Sequence, residues 1–314
     1  MLDFLLICFS IGLLIWGSVI TIRSAVTIAQ EYGLSDLFTG LIILSIGSDL
    51  PELVVTITAS FDSLSGNDMS GIIVGASIGS AFTQMGLVLG ITGLMTYLVT
   101  SKRNVYLVGS LVIISIIVLM LTGYDLVIDW VDGLILLSVY CIYLFVVMFD
   151  RTNIISSEKK AKTNHLKTWS LLIIGLVVIA ISAELVVDSA ANLAIFFGMS
   201  QSLVAVLIIG PGTSLPELAI ALSAIKNKRH YMSIGNILGS NVFDTLIPIG
   251  VAALISPVFL EKSYLIYDLP GLIFLSFITL FFLRRKRGIQ KIEALVLIII
   301  YCIYLVSKLV EIYW

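Results

Sequence analysis

The sequence predicts an all-α membrane protein of ten transmembrane helices, built as two inverted five-helix repeats in which helices 2 and 7 are broken. Composition supports this first, because 59% of the 314 residues are hydrophobic, only 12% are charged, and the mean hydropathy is +1.11. Such values exclude a soluble globular protein. In addition, apolar stretches recur from end to end, and two polar motifs of the first half return in the second.

The predicted spans are apolar runs long enough to cross a bilayer, which requires about 18 residues or more. Residues 1–22 are assigned to the first span, because they lack the basic flank and the small-residue cleavage site of a signal peptide. The ten runs lie near residues 2–25, 35–61, 70–98, 105–122, 127–149, 168–195, 201–225, 232–258, 264–283 and 289–312.

Positive charge predicts the orientation of the spans. Loops after odd-numbered spans hold most of the 18 lysines and arginines, whereas the other side holds only Lys262 and Lys308. Because cytoplasmic loops are enriched in these residues, we expect both termini outside a plasma membrane. The chain then divides into a first repeat at 1–149, a cytoplasmic linker at 150–167 that is too short for a regulatory domain, and a second repeat at 168–314.

The internal repeat is the strongest organisational signal. Residues 46–53 (IGSDLPEL) return 165 positions later as residues 211–218 (PGTSLPEL), and residues 75–80 (GASIGS) return 160 positions later as residues 235–240 (GNILGS). Each half holds an odd number of spans, so the halves must have opposite orientations. This arrangement is typical of secondary transporters.

The first motif predicts a break near the middle of span 2. Proline cannot donate to the helix ladder and favours a first helical turn. Pro51 is therefore expected to begin a second half-helix, with Ser48 or Asp49 as its N-cap and Glu52 in its first turn. The same arrangement is predicted in span 7 from Thr213, Pro216 and Glu217.

Such breaks would place cation ligands at mid-membrane. The first half-helices are expected to leave carbonyl oxygens without partners, and these oxygens are hard ligands for a cation. The carbonyls concerned lie around Ser45, Ile46, Ile209 and Gly210. The positive end of each second half-helix favours an ionised Glu52 or Glu217.

Spans 3 and 8 are predicted to complete the site with further polar side chains. Ser80 and Gln84 are four residues apart and share one helix face, as do Ser240 and Asp244. Neighbouring small residues are expected to allow close helix packing. They are Gly75, Gly79, Gly86, Gly235 and Gly239.

Four carboxylates in these spans, those of Asp49, Glu52, Glu217 and Asp244, are costly without positive partners. Each costs roughly 2.5 to 3.5 kcal/mol at a helix centre. The sequence has no lysine or arginine at that depth, so mobile cations or protons are expected to neutralise the group. Glu184 and Asp188 of span 6 are accessory or structural.

The ligand atoms favour hard cations. Both histidines, His165 and His230, fall in loops, and the cysteines lie away from the motifs inside apolar runs, where we expect packing rather than a disulfide. Oxygen ligands suit calcium, sodium or magnesium better than zinc or copper. No cofactor is expected.

These motifs resemble the alpha repeats of the cation/calcium exchanger superfamily, and prokaryotic sodium/calcium exchangers in particular. Residues 212–217 (GTSLPE) followed by 235–244 (GNILGSNVFD) are similar to the second repeat of that family, and the resemblance covers nearly the whole chain. It implies that Glu52 and Glu217 bind calcium. The co-ligands that it implies are Ser48, Thr213, Ser214, Ser80, Ser240 and Asp244.

The first repeat departs from the family pattern. Asp49 stands where a serine is usual, Gln84 where an asparagine or aspartate is usual, and Ala76 replaces an asparagine, while Pro211 precedes the second motif. The charge of Asp49 would favour a divalent ion more strongly, admit potassium as in potassium-dependent relatives, or carry a proton.

The resulting functional prediction is an antiporter that exchanges calcium for sodium by alternating access, with inorganic cations and the lipid bilayer as its partners. The alternatives are coupling to protons or potassium, transport of magnesium, and a cation channel. An enzyme is not expected, because no serine/histidine pair, zinc-binding histidine helix or phosphate loop occurs at membrane depth. Nucleic acid is not an expected partner, and the chain is expected to be a monomer or a weak homo-oligomer.

Overall fold

The structure is a computed structural model that describes residues 2–66, 68–149, 165–196, 198, 210–286 and 288–313. Its helices, labelled in chain order, are α1 (Leu2–Tyr32), α2 (Asp36–Phe38, a π-helical segment Thr39–Leu44, and Ser45–Leu64), α3 (Ser70–Phe82, a π-helical segment Thr83–Val88, and Leu89–Met95), α4 (Lys102–Thr122), α5 (Trp130–Phe149), α6 (His165–Phe196), α7 (Gly210–Thr213 and Leu215–Lys226), α8 (His230–Ile255), α9 (a π-helical segment Tyr264–Asp268, and Leu269–Lys286) and α10 (Lys291–Tyr313).

The described chain is predominantly helical, as predicted. Eight helices are long and apolar enough to cross a membrane, and a ninth is obtained when the two parts of α2 are taken as one bent span. The start of the predicted seventh span, at 201–209, and most of the predicted linker, at 150–164, lie outside the described residues.

Four two-residue strands were not predicted. They are β1 (Leu98–Val99), β2 (Val127–Ile128), β3 (Val258–Phe259) and β4 (Gly288–Ile289), and β1 pairs antiparallel with β4 while β2 pairs with β3. Each pair joins two loops that the predicted topology places on the same side of the membrane. A strand of two residues is too short to show the alternation by which strands are recognised in a sequence.

The predicted break in α2 is a bend rather than an interruption. The parts Asp36–Leu50 and Glu52–Leu64 differ in direction by 46°, but one α-helical segment runs from Ser45 to Leu64. The prediction of Ser48 or Asp49 as an N-cap is therefore wrong. Pro51 lacks only the N–H that would reach the carbonyl of Gly47, so the helix bends without ending.

The carbonyl of Ser45 also differs from its prediction. It accepts a hydrogen bond from Ser48 Oγ at 3.1 Å, so it is not without a partner. The Ser45 hydroxyl donates to the carbonyl of Leu41 at 2.7 Å. The oxygen that Pro51 leaves without its helical donor belongs to Gly47.

The predicted start of a second half-helix in α7 is confirmed, but Ser214 rather than Thr213 occupies the N-cap position, and its side chain makes no capping hydrogen bond. Its second segment begins at Leu215 with Ser214 as the N-cap residue, and Pro216 and Glu217 lie in the first turn. Gly210 begins the short preceding segment, while Ile209 lies outside the described residues.

Helices α3 and α8 form the centre of the fold. Of the most apolar stretch of each span, 83% is buried in α8 and 72% in α3, against 22 to 39% in the other unbroken spans. At Gly235 and Gly239 of α8, an added Cβ would lie 2.6 Å from the carbonyl oxygens of Leu37 and Leu41. These two glycines therefore permit the predicted close packing of α8 against α2.

The other predicted packing glycines differ among themselves. An added Cβ on Gly86 would lie 2.6 Å from the Cβ of Tyr301, and one on Gly75 would lie 3.1 Å from the Tyr264 hydroxyl. Gly79 has nothing within 4 Å of this position, so the packing prediction is wrong for that residue.

The cysteines are free, as expected, but Cys8, Cys141 and Cys302 are exposed rather than packed inside, because they lie on outward faces of their apolar helices.

Candidate cation-binding site

Four acidic residues from α2, α7 and α8 come together between the two halves of the chain. Asp49 and Asp244 are fully buried, Glu217 is 1% exposed, and Glu52 is half-buried. Asp49 and Glu52 lie about one turn apart on α2. Asp49 connects to α8 through Ser240, and Glu52 connects to Asp244 of α8 through Ser80 and Gln84. Among the described residues, no lysine, arginine or histidine forms an ion pair with any of the four.

Two serines hold Asp49. Ser240 Oγ donates to Asp49 Oδ1 at 2.9 Å. Ser48 Oγ lies 3.2 Å from the same oxygen and 3.1 Å from the carbonyl of Ser45, so its single proton is shared between them. Asp49 therefore approaches α8 across the junction of the two halves.

A second hydrogen-bonded chain runs through α3. Gln84 Nε2 donates to Asp244 Oδ2 at 2.7 Å and to Ser80 Oγ at 3.2 Å. Ser80 Oγ donates in turn to Glu52 Oε1 at 3.1 Å, and lies 3.1 Å from Ser214 Oγ. Because the only proton of Ser80 is directed at Glu52, Ser214 is the donor in their contact.

Several buried oxygens of the group accept no hydrogen bond in the described structure. They are Asp49 Oδ2, Gln84 Oε1, Asp244 Oδ1, and both carboxylate oxygens of Glu217. Oxygens of this kind are hard-cation ligands. No three acidic, histidine or cysteine side chains of the described ranges form a metal centre by themselves, so hydroxyl, amide or carbonyl oxygens would have to complete a site.

The contacts follow the internal repeat. Gln84 and Asp244 are 160 positions apart, as are Ala81 and Asn241, whose amide donates to the Ala81 carbonyl at 2.9 Å. The contact of Ser80 with Ser214 likewise corresponds to that of Ser240 with Asp49, because the offsets of 160 and 165 convert one pair into the other. Equivalent residues of the two halves thus meet at the site.

A cavity of about 390 Å³ leads to one edge of the group. Glu52 and Thr213 line it, together with parts of α3 and α6 that include Glu184 and Asp188. It extends along the C-terminal half of α2, where the side chain of Val55 is 57% exposed. The two acidic residues of α6 thus accompany Glu52 along the cavity.

Most of the candidate ligands predicted from the sequence are brought together. The exceptions are the Ser45 hydroxyl, which is directed along α2, Thr213, which lies at the cavity wall, and Gly210, which begins the described part of α7. Sequence reasoning missed Asn241, since its repeat counterpart is the apolar Ala81. It also missed Tyr143 of α5, whose buried hydroxyl donates to the Leu41 carbonyl at 3.2 Å, and no sequence signal distinguishes this tyrosine.

Known membrane proteins are similar to this chain over most of its length. An uncharacterised membrane protein of Methanocaldococcus jannaschii is 29% identical over 299 residues, covering 94% of each chain. The sodium/calcium exchanger MaX1 of Methanosarcina acetivorans is 23% identical, covering 97% of each chain. The inner membrane protein YrbG of Escherichia coli is 29% identical, covering 74% of each.

The fold also matches a solved structure. The sodium-calcium exchanger NCX_Mj, soaked with 2.5 mM Na⁺ and 0.1 mM Ca²⁺, superposes with a TM-score of 0.83 at 26% identity, covering 98% of each chain. The family model described as sodium/calcium exchanger protein matches residues 2–149 and 167–310. By this match over both halves, the chain belongs to the sodium/calcium exchanger family.

Proposed function

We propose that this protein is a secondary active antiporter that exchanges calcium for sodium across the membrane by alternating access. One observation carries the proposal: four carboxylates share a largely buried site without a described basic partner, and a cavity reaches one of them. The family match and the names of MaX1 and NCX_Mj support calcium and sodium as the transported ions.

The proposed ligands are the residues that the two repeats contribute to the junction. Glu52 and Glu217 supply the main carboxylates. The further proposed ligands that meet at the junction are Asp49, Ser48, Ser80, Gln84, Ser214, Ser240 and Asp244. Ser45, Gly210 and Thr213 remain proposed ligands that the described contacts do not bring to the junction. In the described contacts, hydroxyl and amide groups already hold three of the four carboxyl groups, while Glu217 keeps both oxygens available.

The proposed architecture is ten spans in two inverted repeats, at 1–149 and 168–314, joined by a cytoplasmic linker. Contacts between residues 160 positions apart support the repeat, since a two-fold axis brings equivalent residues face to face. The strand pairs support the alternation of loops. The excess of lysine and arginine after odd-numbered spans supports outside termini in a plasma membrane.

Under this orientation the cavity is on the outer side, which supports alternating access. Glu52 borders the cavity, whereas its repeat counterpart Glu217 is 1% exposed. The described conformation is thus open outward. A desolvated cluster of carboxylates that holds no cation cannot pass between the outward-open and inward-open conformations. After it releases calcium, it must therefore bind other cations before it can return. Exchange of calcium for those cations follows.

A second candidate is coupling to protons or potassium, with calcium or magnesium as the exported ion. Asp49 favours it, because a carboxylate at this position adds a fourth acidic group that a proton or a further cation would neutralise. A channel would use the same ligands but would not couple the flux of one ion to that of another.

Uptake of radioactive calcium into proteoliposomes, under separate sodium, potassium and proton gradients, tests the proposal. We expect uptake to depend on an opposed sodium gradient, with a fixed ratio of ions. Uptake driven only by protons or potassium would favour the second candidate. Calcium flux without a counter-ion would show a channel.

A further inference from the structure

Asn236 lies one turn before Ser240 and two turns before Asp244 on the same face of α8. It is fully buried, and neither its amide nitrogen nor its amide oxygen has a hydrogen-bond partner within the described part of the chain. The hydroxyl of Ser233, three residues earlier, is also buried and unpaired. Unpaired buried groups each cost about 1 to 3 kcal/mol, so they call for an explanation.

The internal repeat indicates what these groups do. The offset of 160 relates Asn236 to Ala76 and Ser233 to Ile73. Both Ala76 and Ile73 line the cavity that leads to Glu52. In an inverted repeat, the counterparts of the positions that line the outer cavity in one state are expected to line the inner cavity in the other state.

Residues beside the outer cavity are exposed, whereas their repeat counterparts are buried. On α3, Ile72 borders the cavity and is 56% exposed, whereas its counterpart Met232 on α8 is 0% exposed. On α2, Val55 is 57% exposed, whereas its counterpart Ile220 on α7 is 0% exposed. The path beside Met232 and Ile220, in the second repeat, is therefore closed in this conformation.

An apolar cluster, here called the inner cluster, closes them. Its members come from α1, α2, α6, α7 and α8. They are Ile22, Ala25, Ile28, Leu44, Leu172, Ile179, Ile220, Ala224 and Met232. Helix α2 crosses α8 beside Asn236 itself, because a Cβ on Gly40 would lie 2.8 Å from the Asn236 backbone nitrogen.

We infer that Asn236 lines the inner ion path and contacts the cation between the central carboxylates and the cytoplasm. The inference rests on the proposed exchange. When the inner cluster separates, the amide oxygen becomes a hard ligand for a partly dehydrated sodium or calcium ion, and the amide N–H groups bond to water. At the equivalent position of the outer path, Ala76 offers only a methyl group. The amide contact of Asn236 with the cation therefore occurs on the inner path alone.

Thiol labelling in sealed membrane vesicles of both orientations tests this inference. In a background where Cys8, Cys141 and Cys302 are replaced by Ala, the Asn236→Cys variant is treated with a membrane-impermeant methanethiosulfonate. We expect modification only from the cytoplasmic face. The matched Ala76→Cys variant should be modified only from the outer face.

Modification of the Asn236→Cys variant from the outer face, or from neither face, would overturn the inference. If that variant fails to fold, Ser233→Cys replaces it with the same expectation. As a second measurement, Asn236→Leu should lower the rate of sodium-driven calcium uptake roughly tenfold, the effect of losing one ion contact. Uptake by Asn236→Leu at the unaltered rate would also contradict the inference.

The outcomes separate this inference from the proposed function. Sodium-driven calcium uptake without inner labelling of the Asn236→Cys variant would refute the inner path and leave the exchange standing. Labelling from the expected faces in a protein that does not transport calcium would refute the exchange and leave the path standing.

Discussion

Gln84 donates a 2.7 Å hydrogen bond to Asp244, the residue 160 positions later that occupies the equivalent place in the other half. This single contact joins α3 to α8 at the buried centre of the protein. The same amide group also donates to Ser80, which in turn donates to Glu52. Gln84 therefore positions carboxylates from both halves without adding a charge.

Replacing Gln84 with Leu should weaken calcium binding. The substitution removes both donors and leaves Asp244 Oδ2 buried without a partner, which costs about 1 to 3 kcal/mol. We expect a roughly tenfold higher KM for calcium in proteoliposome uptake. Thr92→Val, which removes a hydroxyl that contacts two carbonyl oxygens of its own helix, serves as the control. An unchanged KM in Gln84→Leu would contradict the positioning role.

Replacing Asp49 with Asn should shift ion preference from calcium towards sodium. The substitution nearly preserves shape but removes one negative charge, and a divalent ion loses twice the Coulomb energy that a monovalent ion loses. Competition between sodium and radioactive calcium measures the ratio of affinities. An equal loss of affinity for calcium and for sodium would show that the charge of Asp49 does not act on the bound ions. Asp49→Ser, with the hydroxyl usual in the family, should shift the ratio in the same direction.

Replacing Gly239 with Ala should destabilise the fold. The added Cβ would lie 2.6 Å from the Leu41 carbonyl oxygen and 2.8 Å from Ser45 Oγ, so the α2–α8 crossing would have to open. Such overpacking costs about 1 to 3 kcal/mol. Thermal unfolding in detergent should show a lower Tm, whereas Gly79→Ala, with nothing within 4 Å, should leave it unchanged or higher.

Replacing Lys308 with Met should destabilise the contact between α9 and α10. Lys308 Nζ lies 2.6 Å from Asp268 Oδ2, and the Asp268 side chain is 2% exposed. Removing Lys308 takes a charged hydrogen-bond partner from the buried Asp268, which costs about 1 to 3 kcal/mol. The double variant Lys308→Met with Asp268→Asn should recover most of the lost Tm. A single variant as stable as the wild type would show that the pair contributes nothing.

The sequence was sufficient to predict most of the helices and the ligand groups, because long apolar runs and an exact spacing of polar motifs are visible in it. Local geometry at Pro51 was not predictable in the same way. A proline at the start of a half-helix and a proline at a helix bend give the same sequence pattern, and the structure shows that Pro51 lies at a bend within one helical segment. The contact between Gln84 and Asp244 could not be predicted from the sequence, because only the folded structure brings residues 160 positions apart together.

The central claim is that acidic side chains from both halves bind one transported cation. Sodium-driven uptake of radioactive calcium into proteoliposomes by Glu52→Gln and Glu217→Gln tests it most directly, with Glu261→Gln in an exposed loop as the control. We predict that either substitution in the site abolishes uptake while the control retains it. Uptake at the wild-type rate in either site variant would contradict the claim.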